Sequence, residues 1–131
     1  MNSHTKVDVY YNVTRETYSV KARGGAMRGR VVAHSPKVIL RDVEFVVSQA
    51  GRARVLRDRV KNVHAYARGT LQGDAHARFE AEDPRAVEVS YNPYRAGSFV
   101  RVDNGLPVNR AVCVELVARD GEKKIYAWGV E

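Results

Sequence analysis

Apolar and polar residues alternate in short runs along most of the chain. Val7, Val9, Tyr11 and Val13 alternate with Asp8, Tyr10 and Asn12. Period two marks a strand with one buried face. Thr14-Arg15-Glu16 then turns the chain. Tyr18, Val20 and Ala22 alternate with Thr17, Ser19 and Lys21, which predicts a β-hairpin. Gly24, Gly25 and Gly29 break the pattern and predict a flexible loop carrying Arg23, Arg28 and Arg30. Val31 to Ala33 predicts a short strand, and Ser35-Pro36 a turn. From Lys37 to Val47 the pattern changes phase. Val38 and Leu40 share one parity, while Val43, Phe45 and Val47 share the other. One extra residue flips every later side chain, so a bulge or bend is expected at Arg41-Asp42.

Ser48 to Lys61 follows a different period. Ala53, Leu56 and Val60 step by three and four, which places them on one face of a helix. Ser48 is suited to the N-cap. Gly51 costs about 1 kcal/mol relative to Ala inside a helix, so a late start is expected. Arg52, Arg54, Arg57, Arg59 and Lys61 fall mostly on the rest of the cylinder. Val63, Ala65 and Ala67 then alternate with His64, Tyr66 and Arg68. Tyr10 and Tyr66 thus oppose the aliphatic residues of their strands and are expected on the outer face. Residues 69–85 read as a long polar loop. Strands are expected again over 87–91, 99–102, 111–118 and 124–130. Turn residues separate them, among them Asn92-Pro93, Asp103-Asn104-Gly105 and Asp120-Gly121. About eight short antiparallel strands with one amphipathic basic helix predict a mainly β fold, a compact barrel or sandwich.

At 131 residues the chain is the size of one domain. Residues 1–5 are expected to be disordered. No apolar run approaches the roughly 20 residues of a spanning helix, so no membrane partner is expected. The start, Met-Asn-Ser-His-Thr-Lys, has no apolar signal core, which favours a cytoplasmic location. A single cysteine, Cys113, excludes an internal disulfide framework.

Charge adds a direction. The formal net charge is +7, from 22 Lys+Arg and 15 Asp+Glu. Residues 1–65 hold 13 basic and 5 acidic side chains, so the positive excess lies there. Arginines outnumber lysines 16 to 6. The guanidinium fork suits phosphates and carboxylates, and an Arg-rich half is what a polyanion binder needs.

Candidate chemistry is otherwise thin. His4, His34, His64 and His76 are isolated, with no metal-ligand spacing, so neither metal nor other cofactor is expected. Cys113 sits among Val112, Val114 and Leu116 and reads as a small buried hydrophobe with a raised, inert thiol. No nucleophile elbow appears. Gly24-Gly25-Ala26-Met27-Arg28-Gly29 lacks the Gly-Lys-Ser/Thr ending of a phosphate loop. Glu80, Glu82 and Asp83 cluster in the expected loop, where such runs are usually solvated. No catalytic residue is assigned, and an enzyme is not expected.

Several stretches are distinctive as a set. They are Val9-Tyr10-Tyr11-Asn12, Gly29 to His34, Ala50 to Arg57, Lys61 to Tyr66, Tyr91-Asn92-Pro93-Tyr94 and Ser98-Phe99-Val100. With these the chain resembles, over roughly residues 7–128, a group of small phage and mobile-element proteins. These are usually called hypothetical proteins, and no established activity comes with them. The resemblance implies a setting in the bacterial cytoplasm during phage infection.

The leading expectation is a non-enzymatic module that binds nucleic acid through phosphates, with weak sequence preference. Arg52, Arg54, Arg57, Arg59 and Lys61 are the main candidate contacts, with Arg28, Arg30 and Tyr66 secondary. Two alternatives stand beside it. One is a phage-encoded inhibitor that binds a host defence or nucleic-acid-processing protein, and the other is a minor virion component. Pairing of two chains is one way to hide sheet edges, so a homodimer is also open.

Overall fold

The computed structural model describes residues 6–60, 62–72 and 85–131. The expectations for residues 1–5, Lys61 and 73–84 lie outside the described residues. The elements follow the predicted alternation closely. They are β1 (Lys6–Asn12), β2 (Thr17–Ala22), β3 (Val31–Ser35), β4 (Lys37–Val47), α1 (Gln49–Asp58), β5 (Ala65–Leu71), β6 (Val87–Ser90), β7 (Val100–Arg101), β8 (Arg110–Arg119) and β9 (Glu122–Val130). The fold is mainly β, with one short helix.

The nine strands form one antiparallel sheet in the order β3-β2-β1-β5-β4-β8-β9-β6-β7. The sheet is open, so the barrel alternative does not hold. One cause is the β7 edge. It is two residues long, and its outer side is already used: Val100 bridges Pro107, and Arg101 N–H donates to Leu106 O at 2.8 Å. Little is left there to pair with β3 at the opposite edge. The sheet instead folds over on itself. Tyr18 on β2 donates its hydroxyl to Lys124 O on β9 at 3.2 Å, although four strands lie between them in the order. Val7, Val9, Tyr18 and Val20 on one wing share a core with Val89, Val114, Leu116 and Ala127 on the other.

The phase slip in β4 is a β-bulge, as expected. Arg41 pairs with Thr70 but Glu44 with Arg68, so Asp42 and Val43 face only Gly69. Asp42 takes the left-handed conformation, φ 52°. A side chain at residue 69 would not fit, because its Cβ would lie 2.8 Å from Arg41 O. The pairing also shows that β5 runs on to Leu71. Residues 69–71 therefore belong to a strand and not to the polar loop. Leu71 is 9% exposed and sits in the core, which holds this end of the strand down.

Candidate nucleic-acid interface

The segment Ser48–Val63 begins as predicted. Ser48 is the N-cap, and its hydroxyl accepts from Gly51 N–H at 3.2 Å. Gly51 does not delay the helix, which starts at Gln49. The absent side chain is used for packing: a Cβ at residue 51 would lie 2.5 Å from His64 Cβ. The helix ends at Asp58, short of the expected Lys61. Arg59 takes a left-handed C-cap, φ 54°, and donates its N–H to Val55 O at 2.9 Å.

The expected apolar face is reversed. Val55 is the one buried residue of α1. Leu56 is 37% exposed and Val60 46%, and Ala53 is also exposed. Gly51 and Val55, four residues apart, set the docking face. Ala53, Leu56 and Val60 are consequently exposed, as is Val63 beyond the helix.

The five candidate arginine and lysine contacts of this segment do not form one set. Arg52 is drawn inward, and its Nε donates to Pro93 O at 3.0 Å. Beside it Gln49 Nε2 donates to Gly97 O at 2.9 Å, so this side of the helix is tied to the 92–97 turn. Arg57 forms a paired contact with its neighbour Asp58, 3.0 and 3.2 Å. Lys61 lies outside the described residues. Arg54 and Arg59 are exposed, and neither has an ion-pair partner among the described residues. Arg28 and Arg30 are likewise exposed on the β2–β3 connection. Hydrogen-bonded turns shape that connection, with Arg28 N–H on Gly25 O at 3.2 Å and Arg30 N–H on Met27 O at 2.9 Å. Gly25 and Gly29 supply its left-handed positions, φ 74° and 83°.

Tyr66 belongs to a feature that sequence reasoning only half assembled. A groove of about 450 Å³ opens on the outer face of the β1–β2–β5 wing. Tyr10 and Tyr66 line it from β1 and β5. Gly29 and Val31 border it on the hairpin side, and Ser48, Val63 and His64 on the helix side. Asp8 and Lys21 complete the lining. Tyr10 and Tyr66 oppose the buried Val9 and Ala67, as their parity requires. Arg68 is stacked 5.5 Å from the Tyr66 ring centroid. Its guanidinium also bonds Asp8 at 2.9 and 3.4 Å. That hydrogen bond is the first cause of the raised pKa of Arg68. Sequence parity identified the tyrosines, but the hairpin and helix walls come from pairings distant in sequence.

His64 is fixed beneath the helix. Its Nδ1 lies 2.8 Å from Asn62 O, and its Nε2 lies 2.7 Å from the Tyr91 hydroxyl. A carbonyl only accepts, so Nδ1 carries the proton and Tyr91 donates to Nε2. Tyr91 also stacks on Phe99, with centroids 5.2 Å apart, and burial raises its pKa. Both residues are therefore structural supports of the helix wall.

The outer face carries one further pattern. Lys21, Asp8, Arg68, Glu44 and Arg110 occupy partnered positions on β2, β1, β5, β4 and β8. Their charges alternate across five adjacent strands. Arg110 lies 3.9 Å from Glu44, and Arg23 approaches Asp8 to 3.8 Å. Cys113 is half-buried opposite Arg41 and Trp128, not in the core as expected. Its odd parity places it on the face away from Val114 and Leu116. Burial still pushes the thiol pKa up. Among the described residues no group of His, Cys, Asp and Glu could hold a metal ion. No described helix is long and apolar enough to cross a membrane.

Comparison with known proteins gives a family. Residues 1–124 match the family model described as Mycobacterium phage L5 gene 82 protein. The gene 82 protein of Mycobacterium phage L5 is 35% identical over 108 residues, covering 78% of this chain and 82% of the relative. No solved structure matches. The chain belongs to the phage L5 gene 82 protein family.

Proposed function

We propose that this phage family member is a non-enzymatic protein that binds nucleic acid through phosphates, in the cytoplasm of an infected bacterium. The observation that carries the reading is the set Arg28, Arg30, Arg54 and Arg59. All four are exposed, and none has an ion-pair partner among the described residues. Arg28 and Arg30 adjoin groove-lining Gly29, and Arg54 and Arg59 lie in the segment between groove-lining Ser48 and Val63. Unpaired guanidinium groups are suited to phosphate, and such binding releases counterions. Arg57 can join them, because an exposed pair to Asp58 is worth little. Arg52 is reassigned to holding the 92–97 turn. Nothing in the set reads base edges, so sequence preference should be weak.

The test is a titration with labelled nucleic acid at roughly 50 and 200 mM salt. Affinity should fall steeply with salt. Changing Arg28, Arg30, Arg54 and Arg59 together to Glu should abolish binding while leaving the thermal melt in place. Binding that survives the quadruple change at moderate salt would sink the reading.

One observation favours a second reading, a phage-encoded inhibitor of a host protein. Leu56, Val60 and Val63 are exposed apolar residues of the same segment that carries Arg54 and Arg59. Apolar and arginine groups together are typical of protein interfaces. That reading expects no affinity for free nucleic acid and stoichiometric capture of one acidic host protein.

A further inference from the structure

We infer that the tyrosine groove takes unpaired nucleotides, so that the protein prefers single-stranded polynucleotide to duplex. The inference rests on the phosphate-binding reading and adds a base-contacting site to it. Cations alone draw both kinds of polymer, because both carry phosphates. Preference for a single strand needs rings that a free base can cover.

Tyr10 and Tyr66 provide two such rings. β1 and β5 are neighbours, and Val9 pairs with Ala67. The same register sets Tyr10 beside Tyr66 on the outward face. Strand neighbours stand about 4.8 Å apart, so the two tyrosines line the groove floor from adjacent strands. Arg68 covers one side of the Tyr66 ring and is itself held by Asp8. The ring is therefore braced before any ligand arrives. The single carboxylate in the lining, Asp8, is neutralised by the same arginine. A polyanion thus meets no bare negative charge in the groove.

The walls add selectivity. The floor is recessed between the hairpin and the helix segment, and Val31 and Val63 stand at its sides. At about 450 Å³ the groove is in the size range of small-molecule sites. A splayed nucleotide can enter it. The bases of a duplex, stacked and paired inside the helix, cannot reach the floor. Arg28 and Arg30 flank groove-lining Gly29 and offer phosphate contacts at the rim.

The experiment compares labelled oligo(dT), oligo(U) and a DNA hairpin duplex of matched charge, at fixed low salt. Wild type should bind one or both single strands more tightly than the duplex, and the two single-strand arms rank DNA against RNA. Tyr66→Leu and Tyr10→Leu should each weaken single-strand binding by roughly 5- to 150-fold, the range for one lost base stack. Duplex binding should stay unchanged in both variants. Tyr66→Phe and Tyr10→Phe keep the ring and should bind as wild type, which guards against loss of folding. Equal affinity for all three polymers, indifferent to the Leu changes, overturns the groove inference while leaving phosphate binding intact. Absence of binding to every polymer overturns both.

Discussion

Arginines that look alike in the sequence do different work here. Arg52 holds a turn, Arg68 braces a ring, and Arg54 has no ion-pair partner among the described residues. The tyrosines divide in the same way. Tyr18 is 1% exposed and its hydroxyl bonds across the two wings. Burial, and secondarily the nearby Tyr11, push its pKa above the ordinary 10.0. The unfolded chain then loses this proton first, so the contribution of Tyr18 to stability should be level below pH 10 and fall as pH rises beyond it. Tyr18→Phe should cost about 1 kcal/mol at neutral pH, from the lost hydrogen bond. It should also flatten the alkaline decline. Tyr91 and Cys113, raised by burial as well, leave a residual slope. Urea unfolding at a series of pH values from neutral to strongly alkaline checks both statements. An unchanged alkaline slope in the variant would contradict the assignment to Tyr18.

At the scale of elements, α1 shows how a packing contact overrides propensity. Gly51→Ala should favour the isolated helix by about 1 kcal/mol. In the protein the new methyl would meet His64 Cβ at 2.5 Å. Neither side can yield easily, because His64 is held by Asn62 and Tyr91. Overpacking typically costs 1–3 kcal/mol, so the net expectation is a loss of about 1 kcal/mol, read from denaturant midpoints. A more stable variant would show that the contact is slack. The same contact explains what the sequence could and could not disclose. Alternation located nearly every strand, and the parity break in β4 located its bulge. The helix face was misread because Ala53, Leu56 and Val60 fit a helical period that the helix does not live long enough to use. Its docking is fixed by a missing side chain, which no hydrophobic pattern records.

The whole molecule depends on distant pairings. β1 joins β5, and β4 joins β8, each across more than half the described chain. Periodicity is local, so it showed strands without showing neighbours. The open sheet and the groove walls were therefore illegible in the sequence, while the outward tyrosines were visible. The same topology should slow folding. Loop closure precedes most of the favourable contacts, and β proteins of this kind fold in roughly milliseconds to seconds. Stopped-flow refolding followed by Trp128 fluorescence measures this. Microsecond folding would mean that local hairpins dominate.

The alternating row Lys21–Asp8–Arg68–Glu44–Arg110 has a consequence for how the protein can change by descent. Each inner member faces opposite charge on both sides. Reversing one sign sets like charges against two neighbours at once, which is destabilising across a sheet. A sign reversal along this row is therefore better tolerated when its neighbours change with it. Arg28, Arg30, Arg54 and Arg59 lie under no such constraint among the described residues, so each can be gained or lost singly. The sheet thus joins a row of mutually dependent charges to a set of arginines that single mutations can retune.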